Sequence, residues 1–519
     1  MTPAPRRRLA RRALTAVSGA VLLAAAAGAA LAGETWPVEE AAVPPAAVPV
    51  APTTVAQVCP GPPRLATAVA GEDLGYDEFD PAGSGTRSAL DVVVLGPDGD
   101  APGAARLRAL EEDAEEEDVA RSGVARQEHV EDLAQAVVLE ADPVDDALPL
   151  LTGTSVALTE AGDLRGLTAT PCQTPTTSAW LVGGSTEPGD SAQLVLSNTG
   201  ATPATVTLTG WSGTGPLDLS SAGSVLVPPG QQQVVLLEAL AADPRVAVHV
   251  TAAGGEVTAV VQDSRLRGLV AGGTDLVVPS AAPAERVVVP GIALGSTSGE
   301  DVDAPTVRIV NPGSEPLTAG LELLGPDGVE RVPGADELVV DPGAVVDVSL
   351  AGLPRGTWTA VVTGDAPLTA AAVSTTVGQA GETDPDTPPV DRAWAPATTG
   401  LSSGVVSVPV DLVDSASLVL ANPADGAVDV ELVPVLSDGT RATAVSRTVA
   451  AGTSLVEDVA GLAEGDVAAV ELSAPGPVHA AVMLSVALPD GSGMSVVPFT
   501  EDPRTAAAVP VARPPASLG

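Results

Sequence analysis

The sequence contains no lysine, so its positive charge comes from 24 arginines alone. Against these stand 66 aspartate and glutamate residues, which give a formal net charge of −42 and an isoelectric point of about 4.1. A surface of that sign repels phosphate groups. Nucleic acid and anionic lipid are therefore poor partners, whereas basic proteins and weakly held divalent cations remain possible.

Aromatic residues are also scarce, with 5 Trp, 1 Tyr and 2 Phe among 519 residues. A glycosidase places two carboxylates across a cleft that aromatic rings usually line, and this chain has few such rings. One large aromatic residue per domain is what the core of a small β domain requires. Burial of Trp180, Trp358 and Trp394 would support that interpretation, whereas exposed rings would favour binding of an envelope polysaccharide.

Residues that commonly carry catalysis or hold metals are few. The three histidines, His129, His249 and His479, are too far apart to form a familiar metal triad, so we predict no metal ligands. The one G-x-S-x-G string, Gly400–Gly404, precedes a strand pattern instead of the helix that a nucleophile elbow needs. We therefore expect no catalytic residue, no cofactor and no enzyme activity.

Three short acidic stretches contain closely spaced aspartates that hard cations favour. They are Asp77–Asp80, Asp301–Asp303 and Asp384–Asp386. Because none completes a calcium-loop pattern, we interpret them as solvated loops, with weak calcium binding at domain joints as the alternative.

The N-terminus has the pattern of an export signal. Arginines at 6–8 and 11–12 precede an uncharged stretch, 13–32, that closes on Ala30-Leu31-Ala32. Twenty uncharged residues also suffice to cross a bilayer, so residues 1–32 are either a signal peptide or a membrane anchor. Both alternatives place the rest of the chain outside the cytoplasm.

The two cysteines suit an oxidising compartment. Cys59 and Cys172 are predicted to form one disulfide that closes a long loop, which contributes up to about 4–5 kcal/mol in the chain-entropy model. The preceding residues, 33–58, are rich in Pro and Ala and predict an extended linker. Residues 59–178 then form a disulfide-closed β domain. Its segment 104–133 carries runs of like charge that oppose a helix, so we expect a solvated acidic insertion there.

Three later segments share one pattern. In each, alternating apolar residues lead to an asparagine turn at Asn198, Asn311 or Asn422. These asparagines are about 110 residues apart, which is the length of one β-sandwich. We interpret them as structural turn residues, with a ligand site shared by the three segments as the alternative. The pattern predicts an all-β chain of immunoglobulin-like or fibronectin-like β-sandwich domains in a tandem row. The predicted segments are the repeats 179–285, 286–380 and 394–502, the acidic Pro-rich linker 381–393 and the disordered tail 503–519.

Several of these motifs also carry a family resemblance. C-P-G-P-P at Cys59–Pro63, T-P-C at Thr170–Cys172 and W-L-V-G-G at Trp180–Gly184 accompany the L-x-L-x-N turns. Together they resemble large secreted or membrane-anchored proteins of unknown function from high-GC Gram-positive bacteria. The resemblance covers roughly residues 59 to 500, and it implies no assigned activity and no catalytic residues.

These observations predict a non-catalytic, extracytoplasmic protein of the cell envelope. It would serve as a structural spacer or as a protein-interaction module that contacts partners through strand edges or loops. One alternative is a module that binds envelope polysaccharide. Another is a hydrolase with a site in the 59–178 domain, which would require a cleft with converging carboxylates.

Overall fold

The computed structural model describes a large part of the chain. The described residues are 46–49, 52–65, 85–96, 101–111, 114–145, 147–219, 224–299, 301, 303–381, 384–409, 411–503 and 508–511. They divide into two units. The first unit, 1–50 with 508–519, contains the antiparallel strand pair β1 (Ala46–Pro49) and β36 (Ala508–Val511). The second unit, 51–507, contains every other strand described below.

Two sequence predictions change at these ends. The linker 33–58 was expected to lack strands, but it contains β1 and most of β2 (Val55–Cys59). The tail 503–519 was expected to be disordered, but 508–511 form a strand. Short Ala/Val/Pro segments lack a readable period, and pairing with a distant segment is what makes them strands. The predicted signal or anchor, 1–32, lies outside the described residues.

The second unit repeats one arrangement of strands four times, and we call these repeats copies 1 to 4. Copy 1 contains β2, β3 (Thr86–Leu95), β4 (Ala105–Ala109), β5 (Glu116–Asp118), β6 (Arg121–Ser122), β7 (Ala125–Glu131), β8 (Val137–Ala141), β9 (Leu150–Thr159) and β10 (Gly166–Pro171). Copy 2 contains β11 (Ser178–Val182), β12 (Asp190–Asn198), β13 (Ala204–Ser212), β14 (Gly215–Leu217), β15 (Ser224–Val227), β16 (Gln231–Leu236), β17 (Ala247–Ala253), β18 (Thr258–Arg267) and β19 (Val270–Val277).

The other two copies follow the same plan with fewer, longer strands. Copy 3 contains β20 (Ala284–Leu294), β21 (Thr306–Val310), β22 (Leu317–Gly325), β23 (Gly328–Arg331), β24 (Leu338–Val340), β25 (Val345–Ser349), β26 (Gly356–Val377) and β27 (Val390–Pro396). Copy 4 contains β28 (Leu401–Ser407), β29 (Ser415–Asn422), β30 (Val428–Leu436), β31 (Val445–Val449), β32 (Thr453–Asp458), β33 (Val467–Leu488) and β34 (Gly491–Pro498). A short strand, β35 (Thr500–Glu501), pairs with β28.

Each copy consists of two antiparallel sheets. One sheet, which we call the blade, has the strand order β7-β3-β9-β10 in copy 1, β16-β12-β18-β19 in copy 2, β25-β21-β26-β27 in copy 3 and β32-β29-β33-β34 in copy 4. The other, the outer sheet, is built on β2-β8-β4, β11-β17-β13, β20-β26-β22 and β28-β33-β30 in the same order of copies. The 22-residue strands β26 and β33 run through both sheets of their copies.

The four blades close into a ring through their last strands. β10 contacts β19 and β34, and β27 contacts the same two strands from the other side. The result is a propeller-like ring of four blades together with a half-barrel. The all-β class is as predicted, but the structure does not show immunoglobulin-like domains in a tandem row. Repeat spacing defines the unit, and contacts between distant copies, which spacing does not reveal, set how the units assemble.

Three of the four junctions between copies share a hydrophobic core. The core of copy 2 includes Val310, Val373 and Trp394 from the blade of copy 3. The core of copy 3 includes Ala481 and Val496 of copy 4, and that of copy 4 continues into β9 and β10 of copy 1. Copy 1 has a core of its own, and it also packs Val93, Leu95 and Leu150 against copy 4. Among the described residues, no hydrophobic cluster contains residues of both copy 1 and copy 2. The junction between copies 1 and 2 is therefore built differently.

Copy 1 is more regular than its sequence suggested. The segment 104–133, expected to be a solvated insertion, contains β4 to β7. Its acidic run, Glu116–Asp118, forms β5 and pairs with β4, where Arg106 lies 3.5 Å from Glu116. Like charges oppose a helix, but a strand sends successive side chains to opposite faces and brings arginines alongside them.

One domain boundary also moves. The predicted linker 381–393 overlaps β27, the innermost strand of the copy 3 blade. Its Asp and Pro composition is typical of a solvated joint, but Asp391 is fully buried. Burial by the neighbouring blades, which the local sequence does not report, accounts for the difference.

The described residues include the 3₁₀ turns Leu237–Ala239 and Val459–Gly461. None of the helices found there is long and apolar enough to cross a membrane.

Candidate binding groove and buried polar centre

The repeated asparagines are buried clamps that hold the strand turns. Asn198 Nδ2 donates to the main-chain oxygens of Thr202 and Val227, each at 2.9 Å, and its Oδ1 accepts from Gly200 N at 2.8 Å. Asn311 and Asn422 make the same set of bonds in their copies. Each side-chain amide thus connects its own turn to a later strand of the same copy. The structural role predicted for these three residues is confirmed.

Hydrogen bonds at the centre of the ring connect all four blades. Asp391 of copy 3 accepts from Met494 N of copy 4 at 2.8 Å and from Leu167 N of copy 1 at 3.4 Å. Asp275 of copy 2 accepts from Trp394 N of copy 3 at 2.6 Å. These two carboxyls therefore link copy 3 to each of the other three copies.

Trp394 is the largest fully buried side chain among the described residues. Its Nε1 donates to Asp263 Oδ2 at 2.9 Å, and the Arg308 guanidinium carbon lies 5.1 Å from the ring centroid. Arg308 is itself buried and pairs with Asp347 Oδ1 at 2.8 Å. Its Nη1 also donates to the Gly184 oxygen of copy 2 at 2.6 Å. Copies 2 and 3 therefore meet through apolar area and a satisfied buried charge.

The buried carboxyls at the centre have altered acidity. Burial raises the pKa of Asp391 to about 7, although main-chain donors from Met494 and Leu167 act against it. Burial also raises the pKa of Asp275 well above its ordinary value. Asp391 Oδ1 has no hydrogen-bond partner within the described residues, and a side chain at Gly166 would collide with it. The two carboxyls therefore link the blades, but ionisation of either one in its buried position lowers the stability of the folded ring.

The junction between copies 1 and 2 contains a groove with a cavity volume of about 470 Å³. Copy 1 supplies one wall, from Pro60–Arg64 and the neighbourhoods of Leu110 and Gln135. The copy 2 blade supplies the floor and the opposite wall. Five glutamine side chains line the groove, namely Gln135, Gln193, Gln231, Gln232 and Gln262. Its size suits a small ligand or part of a longer one.

The floor of the groove alternates apolar and amide rows. Val195 pairs with Val234 on one side and Val260 on the other, giving a row of valines across three strands. In the next row, Gln193 pairs with Gln262. Rows of this kind arise because paired residues on one face of a sheet lie side by side. The floor therefore offers both apolar contact and hydrogen bonds.

A main-chain segment of copy 1 already occupies one end of this surface. Arg64 N donates to Gln262 Oε1 at 2.8 Å, and Gln262 Nε2 donates back to Arg64 O at 2.7 Å. Gln193 Nε2 reaches the same oxygen at 3.2 Å. The amides on the floor thus satisfy both the main-chain donor and the main-chain acceptor of one residue, Arg64.

The tryptophans predicted as alternative sugar platforms differ in burial. Trp394 is 2% exposed and Trp211 is 6% exposed, whereas Trp180 and Trp358 are partly buried. Trp180 stacks on Trp211 and on His249, with ring centroids at 4.9 Å and 4.2 Å. Trp358 Nε1 donates to Pro354 O. None of the four lines the groove. The ring surfaces are used mainly for packing.

The three histidines make separate contacts. His129 Nδ1 lies 2.9 Å from Asp91 Oδ1, His249 Nε2 lies 2.8 Å from Ser178 Oγ, and His479 Nδ1 lies 3.0 Å from Thr398 Oγ1. Although burial opposes it, the contact with Asp91 raises the pKa of His129. Burial lowers the pKa of His479 to about 4. The structure does not bring these residues together.

The remaining candidate motifs fall in ordinary structural positions. The Gly400–Gly404 string enters β28, where the exposed Ser402 lies on a strand. In the Asp301–Asp303 stretch, Asp303 pairs with Arg267 at 2.8 Å. Asp77–Asp80 lies outside the described residues. Across the parts of the chain that the structure describes, no group of three or more acidic, His or Cys side chains is arranged to hold a metal ion.

Cys59 and Cys172 form the predicted disulfide. Cys59 ends β2 in the outer sheet of copy 1, and Cys172 follows β10 in its blade. The bond therefore joins the two sheets of the copy that shares no core with copy 2. It also fixes the start of the segment 60–64, which forms one wall of the groove.

The comparison with protein families gives one match. Residues 124–460, more than half of the chain, match the family of unknown function DUF5719. The chain belongs to this family. The DUF5719 match begins in copy 1 and ends in copy 4, so it covers parts of all four copies. No curated protein matches the chain.

Sequence reasoning missed the central aspartates and the groove glutamines. Asp275 is the one charged residue of β19, and such a charge in an apolar strand is a usable signal of a buried polar contact, whereas Asp391 in β27 is followed directly by Arg392. Gln193 and Gln262 gave no comparable signal. A polar residue at alternate positions of a strand is also what a solvated face shows.

Proposed function

We propose that this DUF5719 protein is a non-catalytic interaction module of the cell envelope that binds a partner in the groove between copies 1 and 2. One observation carries the proposal. Three junctions of the ring are filled by shared apolar cores, and the fourth presents a groove of about 470 Å³ lined by amides and valines. A concave surface with a few placed polar groups is the usual form of a binding site.

The groove supports an interaction module over the other functions considered. A spacer gains length from domains in a row, whereas these copies close into a ring. Among its described lining residues the groove has a single carboxylate, Glu111, and acid–base hydrolysis of sugars uses two. Those described lining residues include no aromatic ring, which disfavours sugar stacking, but amides also bind hydroxyls. Polysaccharide binding therefore remains the second candidate.

A location outside the cytoplasm forms part of the same proposal. It is supported by the Cys59–Cys172 disulfide and by the signal-like pattern of residues 1–32. The resemblance to secreted or membrane-anchored proteins of high-GC Gram-positive bacteria points the same way. Weak binding of divalent cations to the acidic surface is a further expectation that we retain as a proposal.

Blocking the groove tests this function. Oxidised protein carrying Gln232→Cys is labelled with a bulky maleimide, and its binding to washed envelopes of the producing organism is measured by co-sedimentation. Thr207→Cys, exposed on the outer sheet of the same copy, is labelled identically as the control. We expect label at 232 to reduce binding at least about tenfold and label at 207 to leave it unchanged.

Equal binding by both labelled proteins, or no binding by the unlabelled protein, would contradict the proposed function. Envelopes pretreated with protease or with glycan-cleaving enzymes then identify the partner class. Loss after protease supports a protein partner, and loss only after glycan cleavage supports the polysaccharide alternative.

A further inference from the structure

The outermost strands of the four blades provide an internal comparison. They are β7 (ARQEHVE), whose outer edge pairs with the two-residue strand β6, together with β16 (QQQVVL), β25 (VVDVS) and β32 (TSLVED). Three contain charged residues, which is a common way to prevent an edge strand from pairing with another chain. β16 contains none. In the described residues it pairs with β12 and with no strand on its other side.

Equivalent positions sharpen this difference. In each of copies 2, 3 and 4, the residue three places before the repeated asparagine has a cross-strand partner on the outermost strand. These partners are Val234, Asp347 and Val456. Asp347 is held by its ion pair to Arg308, and Val456 is followed by Glu457, which pairs with Arg447 at 2.7 Å. Val234 is 51% exposed, and uncharged neighbours flank it on β16. This edge alone of the three is both apolar and free of charge.

The free edge of β16 adjoins the groove. Gln231, Gln232 and Val234 belong to β16 and also line the groove. A segment added to β16 would therefore place alternate side chains toward the valine row formed by Val195 and Val234. The main-chain groups along the edge would supply the register and the hydrogen bonds.

The groove already binds polypeptide main chain. Gln262 pairs with both the N–H and the C=O of Arg64, as described above. This bidentate contact involves the main-chain N–H and C=O of one residue and not its side chain. The same surface thus contacts the main chain of Arg64 at one end, and at the other it has a strand edge that no described strand pairs with.

We propose that the groove binds an extended peptide segment of a partner protein, which adds to β16 as a further strand. This inference rests on the proposed function and specifies the partner. The segment is uncharged or basic, because the chain carries a net charge of −42, and it presents small apolar side chains at alternate positions. The same charge on two copies opposes pairing of β16 with itself.

The test uses a displayed library of random ten-residue peptides, selected on the oxidised, full mature chain. Synthetic versions of the enriched peptides are measured against Val234→Lys and against Val456→Lys, the matched change on β32. We expect enriched peptides to be uncharged or basic with alternating small apolar residues. Their affinity should fall at least about tenfold for Val234→Lys and stay unchanged for Val456→Lys.

Two further measurements keep the result interpretable. Val234→Thr retains a β-branched residue and should keep most of the affinity, which separates the added charge from a folding defect. N-methylation of alternate residues in an enriched peptide should abolish binding, because it removes the donors that a new strand needs. Thermal unfolding of each variant confirms that it is folded.

Several outcomes would overturn the strand-addition proposal. One is that the enriched peptides bind the Val234→Lys variant and the unchanged chain with equal affinity. Another is that the unchanged chain forms a concentration-dependent dimer and that Val234→Lys dissociates this dimer. Envelope binding that the label at 232 blocks, together with no enriched peptide, leaves the proposed function standing and removes this inference. Failure of envelope binding itself removes the proposed function.

Discussion

The three closed junctions and the groove junction are made from the same two-sheet unit, and they differ in a few side chains on one face of the blade. Equivalent cross-strand pairs at this face are Val373 with Trp394, Met483 with Val496, and Gln262 with Leu276. The first two pairs pack under a neighbouring copy. At the third, a glutamine replaces an apolar residue, and the surface binds main chain. One fold therefore produces either a sealed interface or a binding surface.

Truncation of Trp394, at the closed junction between copies 2 and 3, should lower the free energy of unfolding more than any other change proposed here. Trp394→Ala removes a ring buried by two copies, so we expect a loss of about 4 kcal/mol in the free energy of unfolding. Leu276→Ala, at the equivalent position beside the groove, should cost about 2 kcal/mol because less packing surrounds it. Denaturant unfolding measures both. Equal losses would show that the two junctions are packed alike.

The disulfide should matter next, since copy 1 lacks a core shared with copy 2. Replacing Cys59 and Cys172 together by serine should lower the free energy of unfolding by about 3 kcal/mol. Hydrogen exchange should rise in β2 and β10 more than in copy 3, which provides the control within the same molecule. Uniform exchange across all copies would contradict a local role of the bond.

The three asparagines make the same hydrogen bonds in copies 2, 3 and 4, so replacing each one tests whether the three copies also have equal stability at this turn. Asn198→Ala, Asn311→Ala and Asn422→Ala should each cost about 2 kcal/mol, because each leaves buried main-chain oxygens without a donor. Chemical denaturation of the three variants gives the comparison. A clamp in copy 2 that costs far less than the others would indicate that the groove loosens the whole copy.

The central carboxyl predicts a pH dependence of smaller size. The pKa of Asp391 is raised from 3.8 to about 7 in the folded protein. Folding therefore takes up a proton here between these values, and this group's contribution to stability falls as pH rises through that window.

Asp391→Asn removes the ionisable group and keeps an acceptor for the amides of Met494 and Leu167. Relative to the unchanged protein, the variant should gain about 1.5 kcal/mol at pH 8, since the amide also accepts weaker hydrogen bonds. The gain should shrink steadily toward pH 4. Thermal unfolding across this range provides the measurement, and a difference independent of pH would contradict the assignment.

Much of the local structure followed from sequence, and the assembly did not. Alternation before Asn198, Asn311 and Asn422 predicted strands and turns, because turn chemistry is local. Copy 1 was misjudged since β3 ends at Leu95 without such an asparagine and its acidic strands resemble a loop. Ring closure depends on contacts among β10, β19, β27 and β34, which lie far apart in the chain. The groove could not be predicted, because the sequence does not reveal that Gln262 lies next to the main chain of Arg64, which is far away in the chain.

The most direct test of the account asks whether copy 1 touches copy 4, as a ring requires. Val124 N donates to Gly439 O at 3.1 Å across this contact. Val124→Cys with Thr440→Cys, treated with a short bis-maleimide, should give an intramolecular cross-link at every protein concentration. Val124→Cys with Val339→Cys, in copy 3, is the control and should give little. A cross-link between 124 and 440 that forms only between molecules, or none at all, would contradict the closed ring and favour copies in a row.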